Sequence, residues 1–242
     1  MTWSIVARDE ASGAMGVAVS TKFFAVGARV PAIEVGAGAM ASQALTNPLH
    51  RRRGLALLRE GVPAQDVIRL LGEPDAGREH RQLHIMDRDG RFAAHTGAEC
   101  VPWCGHLIRA TFSVAGNMLA GAEVIADTAK AYEAQAALPF PRRLIVALKA
   151  GEAAGGDKRG KQAAALLIYS TEEYSDLDLR VDDHADPLAE LARLEEVARG
   201  RYLHYRKFMP SRASPAGVTD RDEIERRIAE SIAAAERENA AA

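Results

Sequence analysis

Cysteine is scarce in this chain of 242 residues, with Cys100 and Cys104 the whole complement. Two thiols make no disulfide framework, and they fit a reducing, cytoplasmic setting. Their spacing, Cys100-Val-Pro-Trp-Cys104, has three intervening residues where a zinc knuckle or a thioredoxin-type motif has two. Long hydrophobic runs are missing as well. The longest, such as Ala163–Tyr169, fall far short of the ~20 residues that cross a bilayer. An excess of either charge is absent: 31 basic against 33 acidic side chains leave a net charge of −2. That disfavours a nucleic-acid-binding surface and an acidic solvating tail alike. No basic stretch followed by an apolar one opens the chain, so no secretory signal is expected. A Gly-x-Ser-x-Gly elbow is also lacking, which disfavours the α/β-hydrolase route to serine catalysis.

What is present starts at residue 2. Trp3, Ile5 and Ala7 alternate with Ser4, Val6 and Arg8, a half-buried strand pattern that pins the start of the chain in a sheet. If Met1 is removed, Thr2 carries a nucleophilic hydroxyl and a free α-amine, which titrates at roughly 7.7–8.0 in model compounds. The amine can then serve as general base for its own side chain, and retention of Met1 would abolish it. Asp9–Gly13 reads as a turn and Ala14–Ser20 as the returning strand of a hairpin. Ala32–Gln43 reads as a third strand, bent at Gly36 and Gly38. Helices are expected over Pro48–Glu60 and Ala64–Leu71, and a hairpin over Leu83–Asp87 and Arg91–His95 across Asp89-Gly90. Ala110–Ala115 reads as a strand, Gly121–Leu138 and Pro141–Ala150 as helices, and Ala163–Tyr169 and Leu177–Val181 as a closing strand pair. Pro187–Phe208 and Asp220–Ala241 are long, charged and helical, joined by Pro210–Gly217.

Antiparallel hairpins separated by helix pairs are not the alternation of a doubly wound fold. The order predicts an α+β protein, a layered αββα sandwich with two antiparallel sheets inside. It spans residues 1–185, and a helical extension over 186–242 serves as a dimerisation arm or tail.

In a hairpin the end of the second strand lies beside the start of the first. Ser20, Thr21 or Lys22 therefore falls near Thr2, where a cation lowers the pKa of the amine and a hydroxyl holds it. Hydrolysis through a tetrahedral intermediate needs donors for the oxyanion. Gln43, Thr46 and Asn47 supply such groups ahead of a helix, as does Asn117 after a strand, although Thr-Asn-Pro is also an ordinary helix-capping sequence. In Gly155-Gly156-Asp157-Lys158-Arg159-Gly160-Lys161-Gln162, Asp157 and Arg159 suit the amine and carboxylate of a substrate. The segment is not a Walker phosphate loop, because Gln162 stands where the hydroxyl belongs. His80 and Gln82 precede a strand and are candidate pocket residues. Asp182-Asp183-His184 lacks a second histidine at ligand spacing, so no metal is assigned.

Several blocks in order resemble one bacterial and archaeal family of unknown function, placed by fold among the N-terminal-nucleophile (Ntn) hydrolases. They are TWSIVARD, GVAVSTKFFAVG, GAGAMASQALTN, RQLHIMD, HTG, GNMLAG and AGEAAGGDKRGKQAAAL, ending with RVDDH near residue 185. The resemblance implies the four-layer αββα sandwich. More distantly it extends to proteasome β-subunits and asparaginase-type amidases, whose mature chains start with a catalytic threonine. Thr2 matches that role by position. A lysine that opens the third strand in proteasome-like members has no counterpart in Val30-Pro31-Ala32, so the α-amine or Lys22 would compensate. The expectation is an amidohydrolase with Thr2, Lys22, Gln43, Thr46 and Asn117 as catalytic groups. Ser20, Asn47, His80, Gln82, Asp157 and Arg159 would contact a small amide or lactam. No cofactor, metal, nucleic acid or membrane is expected, and a cytoplasmic homo-oligomer, a dimer by preference, is. The alternative is a non-catalytic protein of the same fold that binds a metabolite or assembles with a partner.

Overall fold

Strand alternation decides where the first residues go. In a computed structural model that describes residues 2–241, β1 (Thr2–Arg8) and β2 (Met15–Thr21) form an antiparallel hairpin. Its turn closes where Ser12 N–H donates to Asp9 Oδ2 at 3.0 Å and Gly13 takes φ +73°, a conformation that favours glycine. β3 (Pro31–Glu34) and β4 (Gly38–Ala44) pair antiparallel. The single bent strand expected over 32–43 is thus a second hairpin, turning at Gly36 with φ +78°. β5 (Arg81–Asp87), β6 (Phe92–Thr96), β7 (Gly105–Ile108), β8 (Phe112–Asn117), β9 (Ala163–Tyr169) and β10 (Leu177–Val181) complete the strands. Two antiparallel sheets result, in the orders β10-β9-β2-β1-β8-β7 and β3-β4-β5-β6.

Helices α1 (Leu49–Arg59) and α2 (Ala64–Gly72) pack on the four-stranded sheet. Between them and the sheet lie Met40, Leu58, Val67, Leu71, Leu83 and Ile85. The first N–H of α2 donates to Asp87 Oδ2 at 3.1 Å, so a carboxylate on β5 satisfies a helix N-terminus. Helices α3 (Glu123–Ala134) and α4 (Phe140–Ala153) pack on the six-stranded sheet. There α4 approaches β1 closely at Gly151, where a Cβ would stand 2.3 Å from Thr128 Oγ1 and 2.8 Å from Trp3 Nε1.

Trp3, Ile5 and Ala7 thus face the helices, and Thr2, Ser4 and Val6 face the other sheet. Far from the chain start that inter-sheet face is apolar, with Val6, Val17, Val19, Ala39 and Met86 in one buried cluster. Each fully buried valine there contributes about 1.5–3 kcal/mol. Toward the chain start the same face becomes polar.

The chain divides between Ala192 and Arg193 into two compact units. The helical run at the boundary comprises α5 (Pro187–Val197), a π-helical stretch (Ala198–Tyr202) and α6 (Leu203–Tyr205). In the second unit α7 (Arg221–Ala241) is tied to the preceding segment by Arg201–Glu225 at 2.6 Å and His204–Ser231 at 2.8 Å. Arg227 also lies over the Phe208 ring, 4.7 Å from its centroid. Among the described residues no helix is long and apolar enough to cross a membrane.

Candidate active site

Thr2 heads a central strand of the six-stranded sheet, between β2 and β8, and opposes Asn117 in register. It is buried, and its Oγ donates to Thr21 Oγ at 3.3 Å. Its carbonyl lies 3.4 Å from Gln43 Nε2 and 3.5 Å from Asn117 Nδ2. Met1, on whose removal a free amine at Thr2 depends, lies outside the described residues.

Behind Thr2 runs a fully buried polar network between the sheets. Gln43 Nε2 shares its two hydrogens among three oxygens: Gln82 Oε1 at 2.9 Å, Ala115 O at 3.1 Å and Thr2 O. Gln82 Nε2 faces Gly116 O at 2.8 Å, Thr96 Oγ at 2.9 Å and Gly105 O at 3.1 Å. Gln82 Oε1 also accepts from Asn117 Nδ2 at 3.0 Å. The carbonyl partners can only accept, so both glutamine amides have one permitted orientation. Gln43 Oε1 must then take the Ser4 hydroxyl hydrogen at 2.7 Å. Ser4 Oγ in turn accepts from His84 Nε2 at 2.8 Å, and His84 Nδ1 lies 2.8 Å from Ser113 Oγ. His84 therefore carries a hydrogen on Nε2. Burial, followed by neighbouring His106, pushes its pKa down to about 3. Thr96 Oγ, which accepts from Gln82, also lies 2.9 Å from His106 Nδ1.

Beside Asn117 opens a cleft of about 260 Å³, lined by Ala44, Leu45, His80, Glu99, Cys100, Val101, Asn117 and Met118. Two of its residues are non-glycines in the left-handed region, Ala44 at φ +71° and Met118 at φ +58°. Each directly follows an amide residue that reaches the Thr2 carbonyl. Such conformations cost about 1–3 kcal/mol and cluster at functional sites. Cys100 Sγ donates to Arg81 O at 3.3 Å, and burial together with Cys104 pushes its thiol up to about 11. That is the wrong direction for a nucleophile.

Of the residues singled out in the sequence, Thr2, Gln43, Gln82 and Asn117 come together, with Thr21 beside them. His80 shares the cleft with Asn117. Asp157 is buried and accepts from Lys22 N–H at 2.8 Å and Arg159 N–H at 2.9 Å. It also pairs with Arg159 Nη2 at 3.2 Å, so it holds together the two loops that carry Lys22 and Arg159. The side chains of Lys22 and Arg159 are exposed. Ser20 opposes Trp3 in register and points to the helix face, away from Thr21, and its buried Oγ has no hydrogen-bond partner among the described residues. Thr46 Oγ reaches Ser42 O at 3.5 Å. Asn47 accepts from Leu49 N–H at 3.1 Å and donates to Asp75 at 3.2 Å, the work of a helix start. Arg81 at 3.0 Å holds the Asp75 carboxyl below the usual range, and His50 lies 3.2 Å from it. In the segment 182–184, Asp182 pairs with Arg180 at 2.9 Å and Asp183 accepts from Gln162 at 3.0 Å.

The sequence reading missed Ser4, His84 and Ser113 in the network, and Ala44, Glu99 and Met118 in the cleft. The first three carry a usable signal, since each is a polar residue at an inward strand position amid apolar neighbours.

These residues define a mixed α+β protein with two antiparallel sheets and a polar site at one end of the space between them. Residues 2–191 match the family of unknown function DUF1028, and the chain belongs to that family. The crystal structure of protein SPO2555 from Silicibacter pomeroyi, described under the same family, is 33% identical, with a TM-score of 0.84. The match covers 90% of this chain and 99% of that one. Anbu (ancestral beta-subunit) from Yersinia bercovieri matches at 13% identity and a TM-score of 0.38, over 81% of this chain and 94% of that one. No curated protein matches.

Proposed function

We propose that this protein is an amidohydrolase of the N-terminal-nucleophile class, with Thr2 as nucleophile on a small amide or lactam. Its two sheets and flanking helix pairs would then be the four-layer αββα sandwich of that class. The observation that carries the reading is the setting of Thr2. Its hydroxyl is on the inter-sheet face, bonded to Thr21, and its backbone is held by two side-chain amides next to a strained cleft.

In the mature form, freed of Met1, Thr2 Oγ attacks the amide carbonyl carbon while its proton passes to the α-amine. Thr21 orients the hydroxyl. The tetrahedral oxyanion takes a hydrogen bond from Asn117, whose bond to Gln82 uses one of its two N–H groups and whose contact with Thr2 O is long. The ammonium then protonates the leaving amine as the C–N bond breaks. Water, deprotonated by the same amine, hydrolyses the resulting ester. Gln43 and Gln82, with their hydrogens committed, are positioning residues. Lys22 would keep the amine neutral by its charge, and Asp157 would hold that segment, while Arg159 and His80 would contact substrate.

Intact-mass measurement of the purified protein reports whether Met1 is removed. On processed protein, a chromogenic amide panel should show turnover that Thr2→Ala lowers by roughly a thousandfold. Turnover unchanged in T2A, or full activity with Met1 attached, would defeat the proposal. Binding without turnover on processed protein would favour a non-catalytic binding protein of the same fold.

A further inference from the structure

The cleft beside Asn117 has an uneven lining. Leu45 and Val101 stand at its rim, 64% and 44% exposed, and Met118 adds a third large apolar side chain. The only full charge among its lining residues is the Glu99 carboxylate. Among the described residues that carboxylate makes no hydrogen bond or ion pair. The Glu99 backbone, by contrast, is fixed, since its N–H donates to Glu79 O at 2.8 Å. Arg81 and Lys158 are committed elsewhere and do not line the cleft. Arg81 pairs with Asp75 at 3.0 Å and contacts the Leu45 carbonyl, and Lys158 Nζ donates to Pro102 O at 2.7 Å.

An unpaired carboxylate against apolar walls attracts a cation more strongly than one in open water, because the walls exclude solvent from one side. It also repels an anionic ligand, and this repulsion supplies as much discrimination as the attraction. We propose that Glu99 makes this cleft select amides that carry a cationic side group, their apolar portion resting on Leu45, Val101 and Met118. For turnover the inference rests on the amidohydrolase reading; for binding it does not.

The probes are N-acetyl-lysine, N-acetyl-leucine and N-acetyl-glutamate p-nitroanilides. Their affinity for the full chain carrying Thr2→Ala is measured by calorimetry, and their turnover with the Thr2 protein. The lysyl compound should bind about tenfold more tightly than the glutamyl one, with the leucyl compound between. Glu99→Gln should level the series and Glu99→Lys invert it. Glu99 is exposed, so neither substitution disturbs the core, and circular dichroism checks that both variants fold. The same order of affinity in wild type and both Glu99 variants, or no binding of any of the three, would overturn the inference. Charge selection that depends on Glu99 with turnover unaffected by T2A would leave it standing and sink the nucleophile instead. Turnover abolished by T2A with no dependence on Glu99 would do the reverse.

Discussion

Gln82 gathers more of the site than any other side chain. Its oxygen accepts from Gln43 and Asn117, and its nitrogen serves Thr96 and the Gly105 and Gly116 carbonyls. Gln82→Leu keeps the volume but strands buried donors and acceptors on all sides. The expected loss is about 2–4 kcal/mol in urea unfolding, against about 1 kcal/mol for Ser113→Ala at the network's far end. Equal, small losses would mean the network is not continuous. Gln43, Gln82 and Asn117 were legible in the sequence as polar groups at strand ends. Their division of labour was not, because it depends on which carbonyls face them across the gap between sheets. Ser4 and His84 sit eighty residues apart, and only the stacking of the two sheets makes them neighbours. Ala44 and Met118 gave no signal at all, since neither residue type marks positive φ.

Among the elements, the first hairpin follows from alternation, and the observed ends of β9 and β10 coincide with the expected ones. Gly105–Ile108 carries almost no strand signal: four residues with half-exposed alternation give little pattern, and β7 exists because β8 offers it an edge. The hairpin in 31–44 has the pattern of one bent strand, because its turn, Val35-Gly36-Ala37, carries no Asn, Asp or Pro to mark it. Helix α4 poses a contest of magnitudes at Gly151. Ala in place of Gly favours a helix by about 1 kcal/mol. Here the added methyl meets Thr128 Oγ and Trp3 Nε1, and Thr128 is held in place by its 2.6 Å bond to Val124 O. Overpacking of this kind costs about 1–3 kcal/mol, so the clash should win. Gly151→Ala should lower Tm by about 2–6 °C in a melting experiment, and a raised Tm would mean that α4 shifts freely over β1.

For the whole molecule, the buried histidines set a pH dependence. The unfolded chain protonates His84 near 6.5, whereas the folded chain resists until about 3. The unfolded state therefore binds the proton first as pH falls, and stability drops through that window. The contribution is complete above pH 6.5 and is lost at about 1.4 kcal/mol per pH unit below it. His50, lowered chiefly by burial, acts in the same direction. Asp75, held low chiefly by its bond to Arg81, adds a further loss only below its ordinary value of 3.8. Urea unfolding at pH 7, 6, 5 and 4 should give a falling series, and His84→Gln should flatten it. A series that is already flat in the unaltered protein would refute the buried, neutral assignment.

The forced orientation of the glutamine amides has one more consequence. A chain of hydroxyls and imidazoles can pass a proton by reversing every bond, but an amide cannot reverse. Gln43 therefore terminates the path from His84 through Ser4 before it reaches Thr2. The amide pair behind Thr2 is a proton insulator. No proton that chemistry at Thr2 consumes or releases passes by relay to or from the buried imidazole of His84.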